Sequence, residues 1–542
     1  MANVREVLFD LLRELKMTTI FGNIGSTEEP MLKNFPDDFR YILSLHEAVS
    51  VAIADAYSQA TGEPVHVNLH TAAGSGNAMG NIETAWYNRT PMIITAGQQT
   101  RKMLLLEPLL TNKNPLLQAA PWVKWSYEPA LAEDVPAAFM RAYATAIQAP
   151  AGPVYLSLPM DDMDKECPLA PAKRIIERRL SAGEDILAPV AEALNNSKNP
   201  MLVFGGAVDQ SDGWQSAVAL AEKLNCEVWA GPFEGRPGFP ENHPLYQGTL
   251  VPAIEPICKK MEGHDLVVVI GAPVFRYYPY AAGDYLPEGT RLIHLTDSAE
   301  ESARAPVGDC YVTDPGRACS KLANLVHQSK RKAPEPVAPP EIPEAGDTIT
   351  PDYLFHIISK LRADDAIITH ESLSNASSLK KHLPTKHQRS FFSLFSGVLG
   401  YGLPAAIGVA LAEKDRGGKR KVIALQGDGA TQYVIQSFWN AAKEDLNILF
   451  IILRNKEYNI LKSYGKYLDA QGVPALNITG IDTVMLAKGY GCDGSYVSKP
   501  DQLEEAIKAG LSHQGPYVLQ IEVDPASPPL LGKDGPQKQK KS

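Results

Sequence analysis

At 542 residues the chain exceeds what one hydrophobic core supports and calls for three or four structural units. A composition of 44% hydrophobic and 21% charged residues is that of an ordinary globular protein. The formal net charge of -10 argues against a nucleic-acid partner, whose phosphates select an excess of Lys and Arg.

The first element is an amphipathic helix over residues 4–15, with Val4, Val7, Leu8, Leu11, Leu12 and Leu15 on one face and charges between them. It reads as part of the mature fold, not as a signal peptide. Short apolar runs then alternate with longer helical patterns, the mark of parallel α/β architecture. Buried strands are expected at Thr18–Gly22, Arg40–Leu45, Val65–Leu69, Met92–Thr95 and Val154–Leu158. A second block holds Met201–Phe204, Val267–Ile270 and Arg291–Leu295. A third holds Ala366–Thr369, Val422–Leu425, Ile448–Leu453 and Val518–Val523. The longest apolar run, Ile448 to Leu453, is strand-length and far short of the ~20 residues that cross a bilayer, so no membrane segment is expected. Residues 330–347, rich in Pro, Glu and Ala, read as a linker, and the Lys-rich stretch 528–542 as a disordered tail. Six scattered cysteines without a CxxC pair suit reduced thiols in a cytoplasmic protein.

Two stretches echo one another. Gly74-Ser75-Gly76 and Gly427-Asp428-Gly429 each follow an apolar strand, and each precedes a tryptophan, Trp86 or Trp439, by ten residues. Chance accounts for so short an echo; the alternative is that the first and third domains are cousins whose Gly-rich turns do different work.

The third-domain turn carries chemistry. Glycines let a backbone approach a phosphate closely, and a helix N-terminus offers free N–H groups. Asp428 would repel that phosphate unless a cation lay between them, so a bridging Mg²⁺ or Ca²⁺ is implied. The next strand ends at Arg454-Asn455-Lys456-Glu457-Tyr458, where Asn455 offers an amide oxygen at the strand end where α/β ligands gather. In the first block, Glu47 opens an apolar helix directly after a strand. Phe21–Ser26 lies one strand earlier and His70–Ala78 one strand later. A helix-start glutamate is ordinarily a solvated first-turn carboxylate, but apolar surroundings favour a shared proton.

Strand, GDG, helix, strand and Asn in this spacing resemble the thiamine diphosphate-dependent enzymes. The stretches TIFGNIGS, FRYILSLHEA, VNLHTAAGSGNAMG, TAGQQTR, VKWSYEPA, GAPVFRY and LPAAIGV resemble the benzoylformate decarboxylase group of that family over nearly the whole chain. The resemblance implies three doubly wound parallel-sheet α/β domains: 1–180 for the aminopyrimidine, 190–330 central, a linker at 331–348, and 349–527 for diphosphate and metal. It implies Glu47 as activator of the cofactor, Ser26 as contact to the substrate carboxylate, and His70 as proton donor or acceptor. Asn23, Gly25, Gly397, Leu399, Gly427, Gly429 and Tyr458 would border the cofactor. Asp428, Asn455 and the carbonyl of Glu457 would hold the metal, and Leu110, Ile460, Leu461 and Tyr464 would line the pocket. A homodimer at least, and a tetramer by resemblance, would be needed, because the family joins domains of different subunits at the cofactor.

Departures concentrate at the pocket. Tyr278 stands where the family has a second histidine, which puts proton transfer there in doubt. Ile460 and Tyr464 replace a small residue and Phe; Leu394-Phe395-Ser396 is bulkier than expected; Leu373 replaces a hydroxyl residue and Ile24 a proline. The expectation is a decarboxylase acting on a 2-oxo acid, with a thiamine-dependent carboligase or lyase acting on 2-hydroxy ketones or 2-hydroxyacyl-CoA as the rival. A nicotinamide dehydrogenase, suggested by Gly74-x-Gly76, lacks the required acid after Met92–Thr95.

Overall fold

The structure, a computed structural model, describes residues 2–168, 174–470, 472–525 and 529–531. Its first helix, Val4–Glu14, begins with a reciprocal cap: the Asn3 side chain accepts from the Glu6 N–H and Glu6 accepts from the Asn3 N–H, both at 3.0 Å. Three six-stranded sheets follow. The first contains β1 (Thr19–Gly22), β2 (Arg40–Leu43), β3 (Val65–Leu69), β4 (Met92–Gln98), β5 (Ser126–Tyr127) and β6 (Val154–Pro159), in the order β2-β1-β3-β4-β6-β5. The second contains β7 (Pro200–Phe204), β8 (Glu227–Ala230), β9 (Tyr246–Thr249), β10 (Leu266–Ile270), β11 (Arg291–Thr296) and β12 (Asp309–Val312), ordered β12-β11-β10-β7-β8-β9. The third contains β13 (Ile367–Glu371), β14 (Phe391–Ser393), β15 (Val422–Gly427), β16 (Ile448–Arg454), β17 (Asp493–Val497) and β18 (Tyr517–Glu522), ordered β14-β13-β15-β16-β18-β17. Strand pairing is parallel in each sheet, and helices cross between successive strands, so inner strands such as β3, β4, β7 and β10 are buried along their whole length.

The first and third sheets share one strand order, which supports the cousin reading of their Gly-rich segments. The two segments are not equivalent in detail. Gly427 ends β15 and Asp428 starts a helix, whereas Gly74–Gly76 lies inside the helix Thr71–Tyr87. The expected turn at Gly74 is therefore helical backbone. Residues 331–348 carry no helix or strand. Of the expected disordered tail, residue 528 and residues 532–542 lie outside the described residues. Leu531 contradicts it: 4% exposed, it packs with Ala253 and Ala281.

The first and third domains meet through two helices, Glu47–Thr61 and Gly402–Asp415. Both are buried along nearly their whole length, and Val49, Ala52, Ile53 and Ala56 share one core with Leu403, Ala406, Ile407 and Ala410. Gly408 makes the approach possible: a Cβ there would lie 2.2 Å from the Ile53 carbonyl oxygen and 2.8 Å from the Tyr57 nitrogen. Neither neighbour is a flexible tip. We expect Gly408→Ala to destabilise the fold by ~1–3 kcal/mol, read as a lowered midpoint in chemical denaturation; an unchanged midpoint would mean that the two helices separate without cost.

Candidate active site

The carboxyl ends of β1, β2 and β3, adjacent in the first sheet, bring together the three segments singled out in the sequence. Glu47 begins the helix after β2, capped by His46, whose Nδ1 accepts from the Ala48 N–H at 3.2 Å. The residue as a whole is only 8% exposed. Asn77 Nδ2 donates to Glu47 Oε2 at 3.0 Å, and Asn23 Nδ2 to Oε1 at 3.5 Å, while a Cβ on Gly74 would lie 3.1 Å from Glu47 Cγ. Gly74 thus gives Glu47 room. Ser26 is exposed in the loop after β1, and His70, half-buried, ends β3 as the cap of Thr71–Tyr87. A Cβ on Gly25 would lie 2.1 Å from His70 Nδ1, so the ring rests on bare backbone. Leu110, with a left-handed φ of 65°, lies in the segment after β4 and is 42% exposed.

The second group sits at the carboxyl ends of β15 and β16. Asp428 is buried and accepts from the Gly429 N–H at 2.9 Å and the Lys456 N–H at 2.7 Å. Burial raises its pKa, and these N–H groups oppose the rise. Lys456 is left-handed, φ 66°, which folds the chain so that Asn455 Oδ1 accepts from the Glu457 N–H at 3.1 Å. The Glu457 carboxylate is taken by Lys462, which leaves its backbone carbonyl as the group the expected metal set uses. Among the described residues no cluster of three or more His, Cys, Asp or Glu side chains could hold a metal. One carboxylate, one amide and one carbonyl fit instead a hard cation that keeps most of its oxygens from a phosphate. A Cβ on Gly429 would lie 2.6 Å from the Tyr458 ring, which ties that glycine to Tyr458.

The helix Asn459–Tyr467 carries Ile460, Leu461 and Tyr464. Tyr464 meets Tyr278 of the central domain with ring centroids 5.1 Å apart, and hydrogen-bonds it. Burial and that bond push the Tyr464 hydroxyl above its usual range. The residue in the second-histidine position thus belongs to a phenol pair that spans two domains.

Gly397, φ 83°, and Leu399 lie in a loop braced on the first domain. Thr84 and Ser396 hydroxyls are 2.8 Å apart, Asn81 Nδ2 donates to the Gly400 carbonyl at 3.3 Å, and Val398 packs over Gly80. Glu371 fixes the end of this loop by accepting from the N–H groups of Gly400, Tyr401 and Gly402 at 2.6, 3.0 and 2.7 Å. Burial pushes it up to about 7 against those bonds.

Two sequence expectations change here. Phe395 does not crowd the pocket: its ring lies 3.4 Å from the Arg276 guanidinium and packs against Gly235, while Leu394 joins the large core. Their bulk serves domain packing. The second concerns Glu28, which the sequence did not single out. It is 1% exposed and holds His70 at 2.8 Å. Only its position before Pro30, at the end of a β1 loop, hinted at burial. No hydrogen bond or ring contact among the described residues joins the Glu47 group to the Asp428 group of the same chain.

Comparison with known proteins agrees with this arrangement. The thiamine pyrophosphate enzyme N-terminal TPP binding domain matches residues 2–115, the central domain residues 187–322, and the C-terminal TPP binding domain residues 374–521. Benzoylformate decarboxylase of Pseudomonas aeruginosa is 40% identical over 533 residues, covering 97% of this chain and 100% of the relative. The structure of benzoylformate decarboxylase from Polynucleobacter necessarius superposes with a TM-score of 0.96 at 42% identity, covering 98% of this chain and 100% of that one. That of the thiamine diphosphate-dependent 4-hydroxybenzoylformate decarboxylase of Rhodococcus jostii RHA1 gives 0.93 at 41%, covering 97% and 100%. With every domain matched and full-length relatives at 40% identity or more, this chain belongs to the thiamine pyrophosphate enzymes, as a decarboxylase resembling benzoylformate decarboxylase.

Proposed function

We propose that the protein decarboxylates an aryl 2-oxo acid of the benzoylformate type, using thiamine diphosphate and Mg²⁺ (or Ca²⁺) in a site completed by two copies of the chain. The observation that carries this reading is Glu47, a buried residue whose carboxylate accepts from Asn77 and Asn23, at the end of a strand adjacent to the one that precedes Ser26 and in the same sheet as the one that precedes His70. The residues present suit the cofactor: Asp428, Asn455 and the Glu457 carbonyl would hold the cation, Gly427 and Gly429 would admit the diphosphate, and Gly397, Leu399 and Tyr458 would border the rings. When bound, thiamine diphosphate supplies a carbon nucleophile and a sink for the electron pair left as CO₂ departs.

The chain's own groups do the rest. Glu47 shares a proton with a ring nitrogen at the aminopyrimidine end, where burial strengthens that hydrogen bond. The exposed hydroxyl of Ser26 orients the substrate carboxylate. His70 exchanges a proton at the reacting carbon, and the hydroxyl of Tyr278, hydrogen-bonded to Tyr464, is a second candidate donor there. Leu110, Ile460, Leu461 and the two phenol rings offer an apolar, aromatic wall suited to an aryl group. The relatives' printed substrates, benzoylformate and 4-hydroxybenzoylformate, support that class. A phenol in place of imidazole slows proton delivery near neutral pH and favours carboligation as a second outcome.

Assembly follows from the exposed apolar surface beside each half of the site. Ile24, Leu45, Leu105 and Leu109 near the Glu47 group are 45, 44, 94 and 90% exposed, and Leu461 and Tyr433 near the Asp428 group 46 and 54%. Exposed apolar surface of this kind calls for a protein partner, here a second copy in a dimer, with a tetramer as the fuller assembly. No helix among the described residues is long and apolar enough to cross a membrane. Buried Cys226 and Cys492 thiols, pushed up to about 12 by burial, suit the reducing cytoplasm in which we place the enzyme.

Reconstitution with thiamine diphosphate and Mg²⁺ should release CO₂ from benzoylformate and 4-hydroxybenzoylformate; silence on every 2-oxo acid, with turnover of a 2-hydroxy ketone, would reassign the reaction. Glu47→Gln should lower kcat by ~10²–10⁴-fold, whereas Asp428→Ala should raise the Mg²⁺ requirement beyond the ~10–100-fold typical of losing an outer partner. Co-expressed, the two variants should recover about a quarter of wild-type activity, because half the dimers are hybrids with one intact site. No recovery would place both residues in one chain's site. Tyr278→Phe should cost about 5-fold in kcat, the worth of one hydrogen bond, and an unchanged kcat would remove it from the reaction.

A further inference from the structure

Glu28 collects more hydrogen bonds than any role yet given to it requires. Its Oε2 accepts from the Gly25 N–H at 2.9 Å and lies 2.8 Å from His70 Nδ1; its Oε1 accepts from Thr27 Oγ1 at 2.8 Å and from the N–H groups of Gly97 and Thr71 at 2.8 and 3.4 Å. Three of these five partners, the backbone N–H groups of Gly25, Thr71 and Gly97, are donors whatever the state of His70, and they converge on both oxygens. An acceptor surrounded in this way has no room for a proton of its own, so the hydrogen between Glu28 and His70 sits on Nδ1. Thr27 agrees: its hydroxyl hydrogen goes to Glu28, and its oxygen, 3.3 Å from Nδ1, is left to accept.

The surroundings are cut to this pair. A Cβ on Gly25 would strike the His70 ring, and one on Gly97 would lie 2.2 Å from Glu28 Oε1. Thr71, which follows His70, is held at φ 46°, a left-handed conformation costly for a β-branched residue. The backbone is thus bent at the one point that lets His70 and the Thr71 N–H face the same carboxylate.

We propose that Glu28 is a positioning residue that fixes His70 with its hydrogen on Nδ1, so that Nε2 is the atom exchanging protons with the substrate, and that its charge sustains the imidazolium between taking and returning a proton. This rests on the reading of His70 as the proton-exchanging group. A carboxylate behind an imidazole does this in general by selecting the tautomer and stabilising the cation while staying ionised itself.

The test is a double-mutant cycle on the holoenzyme with benzoylformate. Glu28→Gln should lower kcat by at least ~100-fold, with KM and the Mg²⁺ requirement within about threefold of wild type. In the same variant, the limb of the kcat pH profile that vanishes in His70→Ala should move to lower pH, because the imidazolium has lost its opposite charge. His70→Ala and the double variant should have equal kcat within about threefold, since Glu28 acts only through His70. Imidazole-¹⁵N NMR of the cofactor-free protein, assigned by His70→Ala, should place the neutral-form hydrogen on Nδ1 in wild type and on Nε2 in Glu28→Gln. Should Glu28→Gln not fold, Glu28→Asp takes its place in the cycle, with the same non-additivity expected. Additive losses, an unshifted pH limb or a wild-type Nε2–H tautomer would overturn the proposal. Near-normal kcat in His70→Ala would overturn the reading beneath it. A slow His70→Ala beside a normal Glu28→Gln would overturn the role of Glu28 alone.

Discussion

Everything about this site depends on the seam between the helices Glu47–Thr61 and Gly402–Asp415. Their approach at Gly408 is close enough that a single Cβ would meet the Ile53 carbonyl. One end of the first helix is Glu47, and just before the second is the loop that carries Gly397 and Leu399. Close packing of two rigid elements therefore sets where Glu47 and that loop lie, and the Thr84–Ser396 and Asn81–Gly400 hydrogen bonds hold the loop to the first domain. The seam is also fastened by charge. Asp55, buried and pushed up to about 6, accepts from Asn88 and Gln59, and Gln59 also donates to Tyr401 at 3.1 Å. Arg236 of the central domain pairs with buried Asp209 and reaches the Gln59 carbonyl at 3.3 Å, so all three domains share one polar junction.

Four buried carboxylates illustrate how surroundings divide labour among like groups. Glu371 receives three backbone N–H groups and shapes a loop. Asp55 receives side-chain amides and joins helices. Glu28 receives backbone N–H groups and an imidazole, and orients that imidazole. Glu47 receives two amides and keeps room beside it, because Gly74 stands where a larger side chain would intrude. Burial of an unpaired carboxylate is costly, so each is retained only with its donors in place. Glu47 is the least encumbered of the four, which suits the cofactor role proposed for it.

Expectations for strands succeeded where both faces are buried and missed every edge strand but β2, together with the half-covered inner strand β8. β3, β10 and β16 are near-continuous apolar runs and stand out in the sequence. β5, β9, β12, β14 and β17 are edge strands; Asp493–Val497 reads DGSYV and Asp309–Val312 reads DCYV, half polar because one side is not covered. The bulk of Phe395 suggested a narrowed pocket, but a side chain's direction is not written in its size, and Arg276 from the loop after β10 claims that ring.

The sequence by itself determined where the candidate cofactor residues stand along the chain: Gly427-Asp428-Gly429 and Asn455 after strands, and Glu47 after another, are local patterns whose spacing survives any packing. It also determined the parallel α/β class, because periodicity is a property of neighbouring residues. Only the tertiary structure decided that Glu28 holds His70 and that Tyr278 pairs with Tyr464. Each of these joins residues from different elements, and Tyr278 with Tyr464 also joins two domains. Hydrogen bonds and ring contacts of that kind are fixed by the packing of helices and sheets at a few ångströms, which no spacing along the chain encodes.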